Sequence, residues 1–168
     1  MRLERPEVLG MAVDRRALED FLYREARLMD EHCYDEWLSL WAPDSLYLVP
    51  CSQEDIDPAH TVNIITDGPE RRQDRVTRLK SGNAYAQEPP SRLVRLISNV
   101  EVLEERADGE VVVRSNFLLV ELRRGCQRLL AGRQWHRLRP RDSSFEIVWR
   151  KVVLLNNDEP VSNLTFLI

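Results

Sequence analysis

The stretch FLYREARLMDEHCYDEWLSLWAPDSLYLVP, residues Phe21–Pro50, decides the fold. Leu18, Phe21, Leu22, Ala26 and Met29 recur at three- and four-residue spacings, and Arg16, Glu19, Asp20, Arg24 and Arg27 fill much of the opposite side. That spacing predicts a helix with one buried stripe, opened by Asp14 as its N-cap. A second short helical piece, Asp35 to Trp41, presents Trp37, Leu38 and Trp41. It stops at a tight break, Ala42-Pro43-Asp44, because the residue before a proline avoids helical backbone. Ser45 to Val49 then reads as a strand. An opening helix that feeds a long antiparallel sheet is the start of a cone-shaped α+β fold, a shape that serves both as an enzyme pocket and as an inert assembly unit.

Downstream, Thr61 to Thr66 reads as a second strand, joined to the first by the polar acidic stretch Ser52 to His60. Pro69 suits a first helical turn, so Pro69 to Leu79 is predicted as a charged helix anchored by Val76 and Leu79, with Gly82 placed to close it. Pro89-Pro90 interrupts regular structure. From Arg92 the chain becomes a meander of four long strands, Arg92–Glu105, Glu110–Arg123, Gln127–Leu138 and Phe145–Leu155, marked by β-branched and aromatic residues in partial alternation with polar ones. Asp108-Gly109 and Arg124-Gly125 supply hairpin turns, and Arg141 to Ser144 a looser third. Strands of this length bend, and Gly132 is the expected bend point. The helices must then cover the concave face of the sheet. Residues 1–13 are expected to form an arm and residues 14–168 a single domain.

With 168 residues, the chain suffices for one domain that buries roughly two-thirds of its unfolded surface. Its net charge of −4 and its interleaved arginines and acids lack the basic patch of a nucleic-acid binder. The run Arg137-Leu138-Arg139-Pro140-Arg141 reads as a strand end with its turn rather than a phosphate site. No signal-peptide pattern opens the sequence, and no apolar run approaches the roughly 18 residues of a membrane helix. Cys33, Cys51 and Cys126, an odd set without paired spacing, suit reduced thiols in a cytoplasmic protein.

The chemistry is mostly negative. The three histidines, His32, His60 and His136, stand in no paired metal motif, and no cysteine lies near another ligand. A Rieske-type [2Fe-2S] centre needs cysteines and histidines in tight pairs, which this chain lacks. No nucleophile elbow and no glycine-rich phosphate loop is present. General acid–base work is harder to exclude, because Tyr34, Tyr47, Asp35, His60 or His136 could point into the cone. The plainer reading makes Trp37, Trp41, Trp135 and Trp149 core residues and His136 a hydrogen-bonded surface or interface residue. No catalytic, cofactor-binding or metal-binding residue is assigned.

The segment Phe21–Pro50, together with RVTRLKSGNAYAQEPPSRLVRLISNVEV (75–102), SNFLLVELRRG (115–125), LLAGRQWHRLRP (129–140) and WRKVVLLNNDEPVSNLTFLI (149–168), resembles the β (small) subunit of aromatic-ring-hydroxylating dioxygenases. The resemblance runs collinearly over about residues 15–168; RLKSGNAYAQEPPSR leading into LISNV, and the final NLTFLI, are its most specific elements. It implies the cone-like α+β fold shared with nuclear transport factor 2 and ketosteroid isomerase. It implies an α-subunit partner that holds the Rieske [2Fe-2S] cluster and the mononuclear Fe(II), in a hexamer of three α and three β chains with a β trimer. Electrons would arrive from a reductase, sometimes through a ferredoxin, and the complex would add O₂ to an aromatic ring to give a cis-dihydrodiol. The β chain itself would be structural and bind no cofactor. The ending NNDEPVSNLTFLI leans toward the branch acting on benzoate-like carboxylates. The alternatives are a stand-alone isomerase or dehydratase, or a small-molecule binding protein, built on the same cone.

Overall fold

The computed structural model describes residues 13–51, 63–81, 89–157 and 166–168. Helix α1 spans Arg15–Asp30, and the Asp14 carboxylate accepts from the Arg16 N–H at 2.9 Å, as a capping residue should. Its stripe is buried as the spacing predicts: Leu18, Phe21, Leu22, Ala26 and Met29 all lie in the core. Helix α2, Tyr34–Ser39, is shorter than expected. Trp41, assigned to that helix from sequence, instead opens strand β1, Trp41–Pro50, where it pairs with Ile147. The break read at Ala42-Pro43-Asp44 is a disruption inside the strand, since the pairing shifts between Trp41 and Leu46. Pro43 has no N–H to give a ladder, so it sits where the ladder is interrupted.

Strand β2 is Asn63–Asp67 and helix α3 is Pro69–Lys80, with Pro69 in its first turn and Val76 fully buried. Its C-cap is Ser81; Gly82, expected to close the helix, lies outside the described residues, as do the stretch Ser52 to His60 and most of the 1–13 arm. The meander follows as β3 (Arg92–Glu105), β4 (Val111–Arg123), β5 (Cys126–Arg141) and β6 (Ser144–Leu154). Its turns fall where the glycines place them: Gly109 has φ +85°, and Arg124 and Gly125 have φ of 50° and 76°, the paired positive angles of a tight hairpin turn.

The six strands form one open sheet in the order β2-β1-β6-β5-β4-β3. All neighbours are antiparallel except β1 and β6, which run parallel. The meander thus folds so that its last strand docks beside the first, which local patterning does not reveal. Curvature is built in by pairing shifts in β3, where Asn99 takes a φ of 53°, and by Gly132 in β5. A Cβ at Gly132 would lie 2.3 Å from the Val153 carbonyl oxygen and 2.9 Å from the Phe117 ring, so the bend admits only glycine. Helix α1 packs against β3 and β6, closing the concave face over Val113, Phe117, Leu119, Leu138, Ile147, Val152 and Leu154.

Candidate functional site inside the cone

Strand alternation and the helix stripe send five polar side chains into this apolar interior. Glu25 lies on the buried stripe of α1, between Leu22 and Met29. Ser115 comes from β4, Gln134 and His136 from β5, and Arg150 from β6; each is at most 2% exposed. His136 Nε2 lies 2.8 Å from Glu25 Oε2. The other carboxylate oxygen of Glu25 is 3.3 Å from Arg150 Nε and accepts from Trp37 Nε1 at 3.4 Å. Arg150 Nη2 donates to Gln134 at 3.0 Å, and Gln134 in turn donates to Ser115 at 3.0 Å. Arg150 Nη1 donates to the main-chain oxygen of Ile168 at 2.6 Å, an oxygen that also accepts from the Tyr47 hydroxyl. Around this network Trp37, Trp41 and Tyr47 form an aromatic cluster with ring centroids 5.3–6.0 Å apart.

The electrostatics follow from burial and partners. Burial alone would raise the Glu25 carboxyl, but Arg150 and His136 beside it, with the hydrogen bonds from His136 and Trp37, hold it down at about 2. Burial pushes His136 below the usual imidazole value, against the pull of Glu25. Hydrogen bonding agrees: His136 Nδ1 has no partner, so an imidazolium would bury an unpaired N–H, whereas a neutral ring donating from Nε2 does not. Tyr47 is raised by burial and stays a neutral phenol. The centre is thus a carboxylate neutralised by a guanidinium, with an uncharged imidazole leaning on it.

Chemically, a carboxylate–imidazole pair can move protons, but only for a substrate that reaches it. Here Phe166, Leu167 and Ile168 are 3%, 1% and 1% exposed and fill the interior beside Arg150 and Tyr47. Among the described residues, a groove of about 850 Å³ lies between β2 and α3, one of about 220 Å³ beside Gly132 and one of about 530 Å³ between α1 and β3, and neither Glu25 nor His136 lines any of these three. Among the described residues no group of three or more His, Cys, Asp or Glu is placed to hold a metal ion.

Of the residues singled out from sequence, Tyr47 and His136 enter the cone. His136 is fully buried, which corrects the expectation of a surface or interface position. Tyr34 is buried at the rim, its hydroxyl 2.8 Å from His32 Nδ1, while His32 Nε2 meets the Ser91 carbonyl oxygen at 2.9 Å. Asp35 is exposed and paired to Lys80 at 2.6 Å, and His60 lies outside the described residues. Trp37 and Trp41 are core residues as expected. Trp135 and Trp149 are not: they are half-buried on the outer face, because their neighbours His136 and Arg150 take the inward positions. Cys33, Cys51 and Cys126 are free thiols. Arg139 is tied to Glu110, Asp44 and Glu146, so the arginine run is a neutralised strand end. Glu25 and Arg150 were not expected. Their signal is a charged residue interrupting an apolar helix stripe, and an arginine in register with the inward Val152 and Leu154.

An open, curved six-stranded sheet with helices on its inner face defines the cone class of α+β proteins. An NTF2-like protein with a cystatin-like fold from Novosphingobium aromaticivorans shares it, with a TM-score of 0.59 at 14% identity over 85% of this chain and 82% of that one. Within the class, residues 24–158 match the ring hydroxylating beta subunit family. The small subunit of 2-halobenzoate 1,2-dioxygenase from Burkholderia cepacia is 32% identical over 142 residues, 82% of this chain and 86% of that protein. The beta subunit of benzoate 1,2-dioxygenase from Burkholderia mallei has a TM-score of 0.77 at 26% identity, covering 94% of this chain and all of the other. The chain therefore belongs to the ring hydroxylating beta subunit family, the small subunits of aromatic-ring-hydroxylating dioxygenases. Membership of a β-subunit family implies an α-subunit partner. No helix among the described residues is long and apolar enough to cross a membrane.

Proposed function

We propose that this chain is the assembly subunit of a cytoplasmic dioxygenase of three α and three β chains, with the Rieske cluster, the mononuclear Fe(II) and all catalysis in the α subunit. The observation that carries the reading is the filled interior. Glu25 and His136, an acid–base pair inside the cone, are 1% and 0% exposed, and Phe166–Ile168 fill the interior beside their neighbour Arg150. A stand-alone isomerase or dehydratase would draw on that same pair, which is buried from solvent.

Function then falls to the outer surface. Two cross-strand rows, Val94–Val120–Leu129 and Leu96–Leu118–Ala131, lie side by side on the outer face of β3, β4 and β5, with Leu155 next to Ala131. Val94, Leu96, Leu118, Leu129 and Leu155 are exposed, and a contiguous aliphatic patch of this kind marks an interaction surface. We assign this face to contacts between β chains in a trimer. The halobenzoate and benzoate enzymes among the relatives favour an aromatic carboxylate as the substrate of the complex, with electrons from a reductase, directly or through a ferredoxin.

Co-expression with a Rieske-type α subunit encoded beside this gene tests the reading, with mass, iron and acid-labile sulfide measured on each species. The expected result is a hexamer-sized complex with all iron in α, and a metal-free trimer for this chain alone. A lone chain that stays monomeric at micromolar concentration with and without α, or that turns over a small substrate, overturns it.

A further inference from the structure

Phe166–Ile168 is held in the cone by more than apolar burial. Its main-chain oxygens meet three donors from three different strands. Tyr47 on β1 and Arg150 on β6 both donate to the oxygen of Ile168, and Arg95 on β3 donates to that of Leu167. The Tyr47 hydroxyl also accepts from the Ile168 N–H at 3.3 Å. Tyr47 and Arg150 are 0% and 1% exposed, and the Arg95 side chain, ion-paired with Asp30, is 2% exposed. The Leu167 and Ile168 side chains fill the adjoining apolar space within the core cluster.

Two buried guanidiniums and a phenol aimed at a pair of oxygens, next to apolar volume, are the elements of a carboxylate pocket. Guanidinium donors bind an anionic oxygen more strongly than a neutral carbonyl. A buried arginine whose acceptor is removed is left with an unsatisfied donor, so it favours any acceptor that can enter.

We propose that Tyr47, Arg95 and Arg150 form a binding site inside the cone, that Phe166–Ile168 is its resident intramolecular ligand, and that with this segment cut back the site takes a small carboxylic acid with a branched apolar tail. The acid's carboxylate replaces the Ile168 oxygen against Arg150 and Tyr47, and its hydrocarbon replaces the Leu167 and Ile168 side chains. The site is separate from any role of the assembled oxygenase and does not depend on it.

The test uses the chain from which Leu167 and Ile168 are deleted, titrated calorimetrically with 3-methylvalerate and, separately, with N-acetyl-leucyl-isoleucine and its C-terminal amide. Saturable binding of the two acids by the deletion variant, its absence in the wild type, and binding at least about tenfold weaker for the amide support the proposal. Adding Arg150→Gln to the deletion variant is expected to weaken both acids by about tenfold or more. No saturable binding by the folded deletion variant, or binding unaltered by Arg150→Gln, overturns it. If the deletion variant does not fold, deletion of Ile168 alone takes its place. Its melting temperature should rise with 3-methylvalerate while that of the wild type does not, and equal behaviour of the two overturns the proposal.

Discussion

Replacing Glu25 by leucine tests whether the buried network is held by charge or by packing. Leucine restores the apolar stripe of α1 but removes the acceptor shared by His136 Nε2 and Trp37 Nε1 and the carboxylate that ion-pairs with Arg150 at 3.3 Å. Arg150 keeps Gln134 and Ile168 as partners and, at 1% exposure, loses the carboxylate that neutralises it. Breaking a buried ion pair from one side costs about 3–5 kcal/mol, a large part of the roughly 5–15 kcal/mol by which a domain is stable. For a chain of this size that lowers Tm by roughly 6–20 °C. Urea unfolding followed by fluorescence of the four tryptophans reads the loss directly. The companion variant is Glu25→Leu with Arg150→Met. If uncompensated charge is the cause, the pair together costs less than the sum of the singles by about 1 kcal/mol or more. A Glu25→Leu loss below about 1 kcal/mol, or strict additivity of the two changes, would refute the reasoning.

The pH dependence follows from the same groups. His136 is held below its ordinary 6.5, so its contribution is complete above that value and is lost as pH falls through its folded value. Glu25 is held at about 2, so its contribution is complete above its ordinary 4.5 and disappears as pH drops toward 2. Stability should therefore fall in two stages on acidification, and His136→Gln should flatten the first, as measured by urea midpoints from pH 8 to 3. Gly132→Ala forces a Cβ to 2.3 Å from the Val153 carbonyl oxygen and should cost about 1–3 kcal/mol; a change under about 0.5 kcal/mol in the urea midpoint refutes the close approach. Gly109→Val puts a β-branched residue at φ +85°, and its expected loss of about 1–3 kcal/mol is checked by thermal melts, with no change in the stoichiometry of the complex.

What could be read from sequence was local. The cap at Asp14, the stripe from Leu18 to Met29, Pro69 at the start of α3 and the turns at Gly109 and Arg124-Gly125 are each written within a few residues, and each stands where expected. The parallel pairing of β1 with β6 was not legible, because a pairing between distant strands leaves no local mark. Trp41 was misplaced for the same reason: its strand partner, Ile147, lies in the last strand of the sheet. Reading the inner site failed differently. Glu25 stands on the apolar stripe, and His136 shares its parity with Leu130 and Leu138, so both inward positions were written in the pattern. The adjacent aromatics Trp135 and Trp149 obscured it, since a tryptophan is expected inside and here two of the four sit on the outer face.

Arg150 links the buried acid–base pair to the segment that fills the cone. The guanidinium that neutralises Glu25 also grips the main chain of Ile168 and orients Gln134. It thereby pins α1, β5, β6 and the segment 166–168 to one another. In an open cone such a guanidinium beside a carboxylate and an imidazole would face solvent and substrate. Here its terminal nitrogens are committed to Ile168 and Gln134, and three apolar residues fill the interior beside it. The polar centre therefore fixes the relative placement of helix and sheet. The surface that remains unsatisfied is the aliphatic outer face of β3, β4 and β5, where Leu96 and Leu118 stand opposite each other in water. A cone closed from within and apolar without is built to be joined to other chains.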